Sequence, residues 1–80
     1  MMLSPEEYHD IMLKGKSAEQ IRQEILALEQ EIRRLEEIVR RPEYLPAICP
    51  SEDVQLLCSR EYLTQAKMAL AAAEHAERSV

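Results

Sequence analysis

Residues 17–41 read SAEQIRQEILALEQEIRRLEEIVRR, and within them Ile21, Ile25, Leu28, Ile32, Leu35 and Val39 recur at spacings of 4, 3, 4, 3 and 4. That alternation is a coiled-coil seam sustained for almost three heptads, one apolar line along one side of an α-helix. Ile25, Ile32 and Val39 fill one seam position, and Ile21, Leu28 and Leu35 the other. Arg22, Glu24, Glu29, Glu31 and Glu36 flank it. Ser17 and Gln20 form a capping box at its start, so a long helix is expected over about 18–41. Leu26 and Ile38 lie off the seam and widen the apolar face, which calls for more than one neighbour.

The seam needs a facing helix, and the C-terminal stretch supplies one. Leu56, Leu63 and Leu70 recur every seven residues, with Ser59, Ala66 and Ala73 at the complementary positions. Leucines beside small residues let two helix axes approach to the low end of the ~8–10 Å range. Ser51-Glu52-Asp53 offers an N-cap hydroxyl followed by two acids, so this helix is expected over about 52–78. Ser59 is the alternative start, after a break at Cys58. Leu57 and Tyr62 fall outside the main line, Tyr62 with Ala69 and Ala76 in an adjoining stripe.

Between the two helices stand Pro42, Pro46 and Pro50. Each proline lacks an amide donor and crowds the preceding turn, so residues 42–50 are a connection. Tyr44, Leu45, Ala47 and Ile48 make it apolar, and it is expected to fold back and plug the end of a hairpin. Ahead of everything, Ser4-Pro5-Glu6-Glu7 has the N-cap, the first-turn proline and the acids of a helix start, with Glu7 at the capping-box position. A short helix over about 5–13 then presents Tyr8, Ile11 and Met12 on one side and ends at Lys14-Gly15-Lys16, where Gly15 can take the left-handed cap conformation. It is too short to persist without docking.

Composition agrees with this outline. The 80 residues are enough for a single domain, 46% of them hydrophobic and 31% charged, with one glycine, three tyrosines and neither Phe nor Trp. Ten Leu, nine Ala and six Ile against little other β-branching argue against a sheet. The expected fold is all-α: an antiparallel hairpin of two long helices behind a short N-terminal helix. Two helices bury one stripe each and a chain this small is short of core, so a homodimer completing a four-helix-type bundle is expected.

The net charge of −5 counts against nucleic acid as a partner. No apolar run approaches the ~20 residues of a membrane span, and the start lacks a basic-then-apolar leader, so a cytoplasmic protein with reduced thiols is expected. No catalytic, cofactor or metal site is read. Cys49, Cys58, His9 and His75 have no metal-ligand spacing. His75 sits some 25 Å along the helix from Cys58, too far for a thiol–imidazole pair. Lys14-Gly15-Lys16-Ser17 lacks the upstream glycine and strand of a phosphate loop.

Function is therefore expected at the apolar seams. The candidate residues are Ile21, Ile25, Leu28, Ile32, Leu35 and Val39 on one helix and Leu56, Leu63, Ala66 and Leu70 on the other. They would form core and interface of a non-enzymatic module that pairs with itself or with a helix of another protein. The alternative is a small regulator contacting nucleic acid or an acidic partner through Arg33, Arg34, Arg40 and Arg41, the basic end of the second helix. Dipole complementation and local ion pairing, such as Glu37 with Arg41 or Arg33 with Glu36, account for those arginines better than such a contact does.

Overall fold

The computed structural model describes residues 3–44 and 51–79. Its described elements are all helical: α1 (Pro5–Tyr8) running directly into a π-helical segment (His9–Leu13), then α2 (Ala18–Val39) and α3 (Glu52–Arg78). The two long helices pack side by side as a hairpin, and the N-terminal helical segment lies mainly against α3.

Local chemistry explains most boundaries. At α1 the Glu7 amide donates to Ser4 Oγ at 3.2 Å and the Ser4 amide to Glu7 Oε1 at 3.2 Å. At α2 the Gln20 amide donates to Ser17 Oγ at 3.3 Å and the Ser17 amide to Gln20 Oε1 at 3.0 Å. Both are reciprocal capping boxes. The N-terminal helix leaves through a wide turn, its Lys14 amide donating to the His9 carbonyl five residues back at 2.9 Å. Gly15 then takes φ +79°, a conformation that disfavours any side chain bearing a Cβ, and the chain reverses into α2.

The end of α2 departs from expectation, and so does the capping of α3, although α3 spans the residues expected of it. The second helix was expected to reach residue 41 but stops at Val39, with Arg40 as its C-cap. Pro42 disfavours helical backbone at the residue before it, and this pulls the end back. The third helix begins at Glu52 and runs unbroken through Ser59, which removes Ser59 as a start. Ser51 holds the extended N-cap backbone, but its hydroxyl donates to the Asp53 carboxylate instead of accepting from the helix. The Asp53 amide is satisfied by the phenol oxygen of Tyr44 at 3.3 Å. Tyr44 thus bends back onto the start of α3; residues 45–50, the rest of the segment expected to plug the hairpin, lie outside the described residues.

The antiparallel register is fixed by three polar links along one edge. Ala18 N–H donates to Glu77 Oε1 at 3.3 Å, Arg22 pairs with Glu74 at 3.0 Å, and Arg60 pairs with Glu36 at 3.0 Å. Between the helices the core forms two clusters. The larger holds Tyr8, Leu13, Ile21, Leu28, Tyr62 and Ala66, where three helical segments meet. The smaller holds Ile32, Leu35 and Leu56 on the side towards the connection, and Leu63 packs on both.

Such packing makes a thin, long molecule. The principal extents are 53 × 21 × 13 Å and the Cα radius of gyration is 14.6 Å, against about 11.6 Å for a compact 80-residue domain. Leu35 is fully buried in the narrower cluster. Leu35→Ala should cost about 3 kcal/mol in urea unfolding, with loss of the transferred surface and a cavity adding together. Gly15→Ala should cost about 1 kcal/mol through backbone strain alone, because no atom lies within 4 Å of the added methyl.

Candidate interaction surface

The seam residues read from the sequence are brought together, but chiefly with one another. Ile21, Leu28, Ile32, Leu35, Leu56 and Ala66 are buried, while Ile25, Val39, Leu63 and Leu70 are partly covered. These side chains hold the hairpin closed, and the buried six have no face left for a partner.

The adjoining stripe is where the N-terminal segment docks. Tyr62 is 7% exposed because the Tyr8 ring stacks on it, centroids 4.4 Å apart and planes 12° from parallel. The Tyr8 hydroxyl donates to Glu24 Oε1 on α2 at 2.6 Å, and the Tyr62 hydroxyl donates to the Leu3 carbonyl. One aromatic pair therefore ties all three helical segments together. In the sequence Tyr8 is one apolar residue of a short helix, and nothing in its spacing names Tyr62 or Glu24 as partners.

Of the off-line residues thought to need cover, Tyr62 has it, Ile38 is partly covered, and Leu26 and Leu57 remain 59% and 60% exposed. Val54 at 44% and Met68 at 62% join Leu57 on the outer side of α3. Residues 54, 57, 61, 64, 68 and 71 follow the 3–4 alternation of a second seam, and all six are exposed. Sequence reasoning followed the leucines of α3 and missed this line. Its signal was present: apolar residues on α3 fall in two phases, whereas those of α2 fall almost wholly in one.

The basic end of α2 is open to solvent. Arg33, Arg34, Arg40 and Arg41 are all exposed, and Arg34 pairs with Glu31, whose carboxyl it holds below its usual range. The expected pairing of Arg33 with Glu36 is replaced by that of Arg60 with Glu36.

Reactive groups do not converge. No three His, Cys, Asp or Glu among the described residues are arranged to hold a metal ion. Glu6, His9, Asp10 and Gln65 line a shallow, open depression of about 350 Å³. Its walls are polar, unlike the apolar clefts that enclose small ligands. Cys58 packs beside the larger core cluster. No helix among the described residues is long and apolar enough to cross a membrane.

The tyrosine pair gives the fold an alkaline limit. Burial, reinforced by Glu24, pushes the Tyr8 hydroxyl well above its ordinary value near 10, and burial raises Tyr62 as well. Below that value both rings are neutral in the folded and unfolded chain alike. Above it the unfolded chain releases protons that the folded one retains, so stability must fall as pH rises past about 10. Urea unfolding between pH 8 and 11 should show this decline, and Tyr8→Phe should flatten it while lowering stability at pH 8 by about 1–2 kcal/mol.

No protein-family model, curated protein or solved structure matches the chain.

Proposed function

We propose that the protein is a small non-enzymatic helical module for protein–protein interaction or oligomerisation. The observation that carries this reading is the outer line of α3, where Leu57 and Met68 are each about 60% exposed and belong to neither core cluster of the described residues. Folding supplies no reason for large apolar side chains at seam spacing on that side, whereas a partner helix would cover them. Self-association and a helical segment of another protein are both compatible with such a surface.

A regulator touching nucleic acid is the second reading, favoured by the four exposed arginines at the end of α2. Glu31, Glu36, Glu37 and Glu43 stand among them, and the whole chain carries −5, so the local field is mixed in sign.

The interaction reading is tested by recovering the tagged protein from source cells under native conditions and weighing the isolated complex. A mass above that of one chain is expected, and Leu57→Glu with Met68→Glu should abolish it without loss of helicity. A bare monomer, or a complex indifferent to the double change, overturns the reading. Retention on a polyanion column that falls steeply with salt would instead favour the arginine surface.

A further inference from the structure

We infer that the outer line of α3 pairs with the same line of a second copy, the two helices running antiparallel. This rests on the interaction reading above and names its partner. Three observations bear on this pairing: the area available, the self-complementarity that favours a second copy over a foreign helix, and the charge that sets the direction.

The first is area. A compact monomer of 9.3 kDa exposes about 5000 Å², whereas this chain exposes 5778 Å². The excess, roughly 800 Å², follows from the thin, elongated shape and is of the order that each partner contributes to a standard interface. One broad side of the hairpin is already occupied by the N-terminal segment, packed on α3, and the ion pairs Arg22–Glu74 and Arg60–Glu36 bridge the two long helices. The outer side of α2 offers a single exposed large apolar residue, Leu26, and the N-terminal segment offers Ile11, so the outer side of α3, with Val54, Leu57 and Met68, carries most of the exposed apolar surface among the described residues.

The second is self-complementarity. The line reads Val54, Leu57, Glu61, Thr64, Met68, Ala71. Laid antiparallel on itself, with the two-fold axis between residues 62 and 63, it sets Leu57 against Met68 of the other copy and Val54 against Ala71. Glu61 then meets Thr64, whose hydroxyl donates to the Arg60 carbonyl of its own helix at 3.2 Å in one chain and must turn outward to reach the carboxylate. Apolar layers meet apolar layers on either side of this polar centre.

The third is charge, which selects the direction. A parallel pair would set Glu61 against Glu61 at the centre of the seam, a like-charge contact that disfavours that arrangement. Glu61 makes no ion pair among the described residues, and antiparallel order moves its two copies out of direct opposition into adjacent layers.

Sedimentation equilibrium over a concentration series, with cysteine cross-linking, tests the inference. The intact chain should move from 9.3 kDa towards twice that mass. Leu57→Glu with Met68→Glu should hold it at one chain while leaving its circular dichroism unchanged, since both side chains lie outside the core. With Cys49 and Cys58 replaced by alanine, a Leu57→Cys, Met68→Cys chain should become a covalent dimer on oxidation. Leu57→Cys alone should not, because antiparallel order separates the two copies of that residue by about 16 Å, beyond disulfide reach. A single-chain mass at every concentration overturns self-pairing, and so does a dimer that survives both glutamates. Cross-linking of Leu57→Cys alone overturns the antiparallel order. If the chain proves monomeric yet still recovers a larger complex that the two glutamates abolish, self-pairing fails and the interaction reading stands.

Discussion

Two helices lying side by side can each hide only one stripe from water, and the rest of this structure follows from that constraint. The seam of α2 is nearly all of its apolar surface, so one neighbour suffices for it. The apolar residues of α3 are spread over three directions: inward to α2, sideways to the N-terminal segment, and outward. A small chain cannot wrap all three with its own residues. Folding satisfies two of them.

The sideways direction shows how little chain is needed to do so. Pro5–Tyr8 and the wide turn after it are too short to be helical in water by themselves. Docking holds them, through Tyr8 on Tyr62, Leu13 in the larger cluster, and hydrogen bonds to Glu24 and from Tyr62 to the Leu3 carbonyl. The hinge at Gly15 sets the angle at which the segment returns to α2. In a chain without Phe or Trp, a stacked tyrosine pair provides the broad flat contact that aliphatic side chains do not.

How much could be read in advance depended on the range of the interaction. Both capping boxes, the left-handed glycine and the facing seams were legible because each is written in residues three, four or seven apart. The end of α2 at Val39 was missed by two residues, though the effect of Pro42 on its predecessor is equally local. The Tyr8–Tyr62 stack was not legible: it joins residues far apart in the chain, and its geometry comes from the docking angle. Nor was the cap on α3, where Tyr44 supplants the hydroxyl of Ser51. The outer line of α3 lay in plain view but was masked by the more regular leucines beside it. Six of the seam residues are consumed by the hairpin's own core, so the apolar side chains left exposed are different ones.

The division of the interior into a wide cluster at one end and a narrow one at the other makes the molecule unequal along its length. Where Tyr8, Leu13 and Tyr62 meet, three segments must separate before a backbone amide reaches solvent; around Ile32, Leu35 and Leu56 only two must. Deuterium should therefore enter the halves of α2 and α3 nearest the connection first, and the hairpin should open like a clothes-peg whose spring lies at the end remote from Pro42.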